Sequence, residues 1–218
     1  MKKLVAILLL ISALFTFSSC GENYTYVEIC FENYGSVIVR LDHKSAPGTV
    51  ENFLELVNSG FYDGLTIHRV IPDFMIQGGD PNGDGTGGNT NPDGTKKEIY
   101  GEFSSNGYKK NKISHNRGTI SMARSNDPDS ASSQFFICNG DARASLDGKY
   151  AGFGLVVKGM SVIDKITEDV FPKTKYAEYY GTDAHSMWSA YGNGQIEYDA
   201  DKPVIKYIKV LENYEHNV

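Results

Sequence analysis

The chain has 218 residues, with 21 Lys and Arg against 27 Asp and Glu, for a formal net charge of −6. That length suits one domain with a core of its own. The acidic balance, with no basic block interleaved with aromatics, argues against nucleic acid as a partner. Composition is that of a soluble globular protein apart from 23 glycines and 14 tyrosines.

Taken in order, the chain opens on a targeting segment. Lys2 and Lys3 precede the apolar run Leu4 to Phe17, too short to cross a bilayer comfortably but the size of a signal-peptide core. The run ends Phe17-Ser18-Ser19-Cys20-Gly21. Small residues directly before a Cys resemble a bacterial lipoprotein signal, in which the Cys is acylated and becomes the new N-terminus. The expectation is a signal peptide over 1–19, lipidation at Cys20, a tether over 20–24, and a protein held at the cell envelope. Buried acyl methylenes contribute about 0.8 kcal/mol each to such an anchor. Cys30 and Cys138 lie in separate strand-like runs. Export permits a disulfide, but cysteines in such runs are more often small buried residues, so both are expected unpaired.

From Tyr26 to Phe31, Val27, Ile29 and Phe31 alternate with polar neighbours, and after a turn cluster Val37, Val39 and Leu41 alternate again. This is the pattern of a β-hairpin. Thr49 then suits a helix N-cap, with Val50, Phe53, Leu54 and Val57 on one face and Gly60 as the stop. The segment Asp80-x-Asn82-x-Asp84-Gly85 nearly copies the start of an EF-hand calcium loop. Its closing position is Asn91 instead of a bidentate Glu, and no helical pattern flanks it, so a surface loop is expected and no metal. Strands follow at Thr119–Ala123, Gln134–Cys138, Gly152–Val157 and Pro203–Leu211, with a second helix on Met160, Ile163 and Ile166. Many short strands with two isolated helices point to a mainly β fold: a closed antiparallel barrel, in which closure removes exposed edges. Residues 170–202 break this rhythm. Their aromatics, Trp188 among them, are too many for a disordered linker, and an ordered insertion before the last strand is expected. A short tail, 213–218, follows.

One stretch carries chemistry. Ile67-His68-Arg69-Val70-Ile71-Pro72-Asp73-Phe74-Met75-Ile76-Gln77-Gly78-Gly79-Asp80 sets a guanidinium among branched apolar residues. Such a group is costly to desolvate unless its donors are used; a structural ion pair at a strand end is the plain alternative. Phe61-Tyr62-Asp63-Gly64-Leu65-Thr66 before this stretch extends it into what resembles the central signature of cyclophilins, the peptidyl-prolyl cis-trans isomerases. The likeness recurs at Gly85–Gly88, Gly118–Ala123, Ser133–Ile137, Leu146-Asp147-Gly148 and Phe153-Gly154. It spans about residues 25–168 plus the last strand, within a domain drawn over 25–212.

The resemblance implies an eight-stranded barrel capped by two helices, with an active groove on one outer face. It implies Arg69 as the catalytic arginine, flanked and positioned by the amides of Gln77 and Gln134. Phe74, Met75, Phe136 and Leu146 would line a proline pocket, Ala123 and the backbone at Arg124 would meet the substrate chain, and His68 and Tyr150 would lie at the groove's edge. This sequence departs from the family pattern at Arg124 (often Asn), Tyr150 (His in eukaryotic members) and Ser145 (a common Trp). The last puts tight cyclosporin binding in doubt more than isomerisation.

These residue types suit the reaction. Rotation about an Xaa-Pro bond faces a barrier of about 18–20 kcal/mol from amide resonance, and no bond breaks. The catalyst need only bind the twisted amide better than the planar one. Twisting gives the prolyl nitrogen a lone pair, and a guanidinium donor gains strength as it appears. Two neutral amides can brace an arginine's planar fork without competing for its charge. No cofactor is called for. The expected partners are proline-containing polypeptides, unfolded exported proteins among them, bound by a monomer. The competing readings are a proline-peptide binding module with incidental turnover, and an insertion that docks substrate, with Trp188 walling the groove in place of the Trp missing at Ser145. Asp42, Asp63 and Asp147 read as turn formers, and His43, His115, His185 and His216 as surface residues.

Overall fold

A computed structural model describes residues 23–171, 194–212 and 214. The expected signal segment with Cys20, most of the expected tether, the middle of the expected insertion with Trp188, and nearly all of the expected tail lie outside the described residues. Strands β1 (Tyr24–Phe31) and β2 (Gly35–Asp42) form the expected hairpin, each a residue or two longer than its apolar alternation. Val27 faces Val39 and Ile29 faces Val37, so the inward rows of the two strands meet and all four residues are fully buried.

Helix α1 (Pro47–Asn58) starts earlier than Thr49. Its N-terminus is capped from a distance. The buried carboxylate of Glu102 accepts from Gly48 N at 3.1 Å and from Thr49 N at 2.8 Å, and Thr49 Oγ1 donates to it at 2.7 Å. Thr49 is therefore a donor to the cap and not the cap itself. Pro47 takes the first turn, where its missing N–H costs nothing. Gly60, at φ +69°, ends the helix with Gly60 N donating to Val57 O and Phe61 N to Leu56 O, the paired bonds of a left-handed terminator. Leu56 takes the core position expected of Leu54, which is only half-buried. Glu102→Ala leaves the first-turn donors and the Thr49 hydroxyl unmet, and urea midpoints should report a loss of about 1–3 kcal/mol.

The remaining strands are β3 (Thr66–Ile71), β4 (Met75–Asp80), β5 (Thr119–Met122), β6 (Phe135–Cys138), β7 (Gly152–Lys158) and β8 (Ile205–Val210). They form one antiparallel sheet in the order β3-β4-β6-β5-β7-β2-β1-β8. Between its two edge strands there is no continuous ladder. Thr66 and Val204 make an isolated bridge, with Ile67 N donating to Pro203 O at 2.8 Å and Ile205 N to Leu65 O at 2.7 Å. The sheet is thus an open, curled barrel, where closure was expected. Pro203 has no N–H to extend the ladder.

There are three α-helices among the described residues: α1, the single turn α2 (Arg143–Leu146), and α3 (Met160–Val170). A four-residue helix has too few positions to show a 3.6 period, which is why only two were foreseen. α1 packs on β8 and β2, and α3 on β2 and β3. Their apolar faces join the inward strand residues in one core, with Phe53 of α1 against Tyr62, Phe135 and Phe153. The Asp80–Gly85 stretch is a turn gathered on one carboxylate: Asp80 accepts from the backbone N–H groups of Asn82, Asp84 and Gly85. Cys30 and Cys138 are free thiols on β1 and β6. Burial pushes the Cys138 thiol up to about 12.

Candidate active site

The site is a row of residues across the sheet. Arg69 on β3 pairs with Gln77 on β4, Gln77 with Phe136 on β6, and Phe136 with Ser121 on β5. Directly paired residues project to one face. The neighbouring row, Val70, Ile76, Ile137 and Ile120, goes to the opposite face and is fully buried in the barrel core. One row further on, Ile71, Met75 and Cys138 return to the Arg69 face and pack with Phe136, Ala142 and Leu146 in a second apolar cluster. This quarter of the sheet is apolar on both sides. Phe74, Met75, Phe136 and Leu146 are therefore packed residues of a pocket outside the main core.

That pocket is a cleft of about 140 Å³ lined by Arg69 and Gln77 on one side and by Phe74, Met75, Phe136 and Leu146 at its base. Ala123, Arg124 and Tyr150 complete the rim. Asp73, in the tight turn between β3 and β4, has φ +55°, a conformation Asp tolerates better than most. The turn sends the chain back with Phe74 over the cleft.

Arg69 is half-buried, and its Nη1 donates to Gln77 Oε1 at 3.1 Å. Gln77 Nε2 donates to Gln134 Oε1 at 2.9 Å, and Gln134 Nε2 donates to the carbonyls of Gly85 and Gly87 at 3.0 and 2.9 Å. The direction of this chain is set at its far end. Two backbone carbonyls can only accept, so Gln134 must turn its NH₂ to them and its oxygen to Gln77. Gln77 must then turn its own oxygen to the guanidinium. Burial lowers the Arg69 guanidinium from its ordinary value, with Tyr150 acting in the opposite sense, and it stays charged throughout the accessible range.

Comparison with known proteins fits this geometry. The family described as cyclophilin type peptidyl-prolyl cis-trans isomerase/CLD matches residues 26–180. The chain belongs to the cyclophilin family. A Dickeya dadantii protein named peptidyl-prolyl cis-trans isomerase A is 41% identical over 180 residues, covering 78% of this chain and 89% of that one. A Helicobacter pylori peptidyl-prolyl cis-trans isomerase is 42% identical over 138 residues, 62% of this chain and 77% of its own. The crystal structure of a Cryptosporidium parvum cyclophilin type isomerase superposes with a TM-score of 0.67 at 27% identity, covering 88% of this chain and 99% of that one. The same relative in the presence of the dipeptide Ala-Pro gives 0.65 at 29% identity, covering 86% of this chain and 99% of its own. The protein is a cyclophilin-type peptidyl-prolyl cis-trans isomerase.

Several expected placements change in this cyclophilin. Gln134 bonds to Gln77 and not to Arg69, and it lines a second cavity of about 160 Å³ beside the cleft, with Gly87, Lys96, Glu98, Ser130 and Ser132. His68 does not line the cleft. It is the extra residue of a β-bulge in β3, where Ile67 pairs with Gly78 and Arg69 with Gln77, and it is 2% exposed with both ring nitrogens lacking a hydrogen-bond partner among the described residues. Burial holds its pKa down at about 4. Arg124 does line the cleft, but its guanidinium is tied to the rim. Nε and Nη2 donate to Lys149 O at 3.1 and 2.9 Å, and the group stacks 4.5 Å over Tyr150. Tyr150 in turn stands edge-on to Phe136 at 6.0 Å, so the ring is a wall of the pocket. Ser145 is exposed on α2 beside Leu146.

His115, read as a surface residue, is completely buried behind the pocket. Its Nδ1 lies 2.9 Å from Asp147 Oδ1 and its Nε2 3.0 Å from Ser121 Oγ, while the ring stacks on Phe136 at 6.0 Å. Asp147 also accepts from His115 N and Ser114 Oγ, so this turn former is the anchor of a polar brace. Burial lowers the His115 pKa, and Asp147 opposes it. No spacing in the sequence marks this group, since its partners come from β5 and from the turn after α2.

Proposed function

We propose that this isomerase speeds rotation of Xaa-Pro bonds in exported polypeptides at the cell envelope, as a folding helper. Arg69 supplies the transition-state donor, Gln77 braces its fork, and Gln134 holds Gln77 in turn. The observation that carries this reading is a guanidinium braced by neutral amides at the lip of an apolar cleft. Phe74, Met75, Phe136 and Leu146 grip the prolyl ring there, with Ala123, Arg124 and Tyr150 along the substrate chain. A relative solved in the presence of the dipeptide Ala-Pro supports a proline-containing ligand for this protein. Action as a monomer belongs to the same proposal. The test is NMR exchange spectroscopy on a short Ala-Pro peptide with catalytic amounts of protein, in which the cis and trans signals should exchange far faster than the uncatalysed tens of seconds.

Residence at a membrane rests on the basic pair, the apolar run and the Ser-Ser-Cys ending. Lipidation of Cys20 is part of the proposal. Cells expressing Cys20→Ser should release the protein from the membrane pellet into the soluble fraction. A wild-type protein already found soluble, with an unmodified N-terminus by mass spectrometry, would remove the anchor.

A further inference from the structure

On its return toward β8, the chain lays residues 194–196 along the edge of β3. Val70 N donates to Gly194 O at 2.8 Å and Ile196 N donates to His68 O at 2.9 Å. Arg69 and Gln195 therefore oppose one another in the non-hydrogen-bonded kind of antiparallel pair, whose side chains share a face and lie closest. Arg69 is flanked in its cross-strand row by Gln77 on one side and Gln195 on the other. The segment is held in place at both ends. Gly194 has φ +71°, and a Cβ there would stand 2.5 Å from Val70 O. Ile196 is 1% exposed in the barrel core.

The Gln195 side chain makes a second tie. Its Nε2 donates to Asp84 O at 2.8 Å, directly before Gly85, whose carbonyl receives Gln134. The contacts close into a ring. From the Arg69 guanidinium it runs through Gln77 and Gln134 to the 84–87 loop, then through Gln195 back to the strand that carries Arg69. We propose that Gln195 is a positioning residue for Arg69, fixing the Arg69 strand to the loop on which the glutamine chain ends. The inference rests on the reading of Arg69 as the catalytic donor.

The loop has other anchors, since Asp80 accepts from its backbone and Lys202 Nζ donates to Gly83 O at 2.7 Å. Loss of Gln195 therefore loosens the ring without collapsing it. Gln195→Ala should lower kcat for an Ala-Pro peptide about three- to tenfold, short of the roughly hundredfold that gross misplacement costs. KM should stay within about twofold, and Tm within about 2 °C. Gln195→Glu should be slower still, because its carboxylate cannot donate to Asp84 O and, beside the guanidinium, draws its donors from substrate. In an Arg69→Ala background, Gln195→Ala should cost nothing further. Wild-type kcat in Gln195→Ala, with Arg69→Ala inactive, overturns this inference alone, as does an equal loss in both backgrounds. Full activity in Arg69→Ala overturns the reading beneath it.

Discussion

Replacing Arg69 with alanine is expected to lower kcat/KM for an Ala-Pro peptide by about a hundredfold to a thousandfold, the ~2.7–4 kcal/mol of one preorganised donor. Binding of the peptide should change little, because the ring-gripping residues Phe74, Met75, Phe136 and Leu146 pack in a cluster of their own that the substitution leaves in place. Isomerisation needs a donor that strengthens as the amide twists, and an apolar slot alone binds planar and twisted forms alike. Arg69→Lys keeps the charge but loses the planar fork that Gln77 braces, so it should recover little. With the guanidinium charged at every accessible pH, the wild-type rate should be flat from about pH 6 to 9. Equal loss of binding and turnover in Arg69→Ala, or a bell-shaped rate profile, would turn the site into a binding groove whose chemistry lies elsewhere.

The second large effect concerns acid stability. His68 titrates at about 4 in the folded chain against an ordinary 6.5, chiefly because burial disfavours its charged form. Lys202 and Arg69 push in the same direction, while Asp80 and Asp84 oppose. The unfolded chain takes up a proton on His68 as pH falls through 6.5, and the folded chain resists until about 4. The stability contributed is therefore complete above 6.5 and is lost between 6.5 and 4, about 3 kcal/mol in all. The lowered carboxylates, Glu28 and Asp147 among them, lose their contribution at lower pH, so the windows separate. His115, also lowered by burial, adds to the slope with the same sign. Urea midpoints across this range should fall in the wild type. They should fall less in His68→Leu, which also removes two buried nitrogens that lack partners. Identical slopes in the two proteins would refute the burial argument for His68.

What could be read in the residues divides along a physical line. Alternation at Val27, Ile29 and Phe31, and again at Val37, Val39 and Leu41, marked the buried face of the first hairpin, because a strand's period of two is a local property. The α1 stripe and its Gly60 stop were legible for the same reason, with an error of one position at Leu54. Arg69, Gln77 and the apolar wall came from ordered motifs, and the cleft collects them all. Failures occurred where a polar group's partner is distant in the chain. Thr49 looked like a cap because the real one, Glu102, lies 53 residues away. His115 looked exposed because Asp147, 32 residues on, could not be placed beside it. His68 looked like a groove residue, but a bulge in β3 takes it up and buries it away from the cleft.

By itself, then, the sequence determined the buried face of the first hairpin, all but one position of the α1 stripe, and which residue types can stabilise a twisted imide. Those follow from short-range periodicity and from chemistry carried in contiguous motifs. Only the tertiary structure decided that the glutamines act in series, that the barrel's seam is a bridge and not a ladder, and that Gln195 stands beside Arg69. Those depend on register between segments far apart in the chain, 126 residues for Arg69 and Gln195 and 138 for Thr66 and Val204, and a hydrogen bond's direction is settled only when its far end is in place.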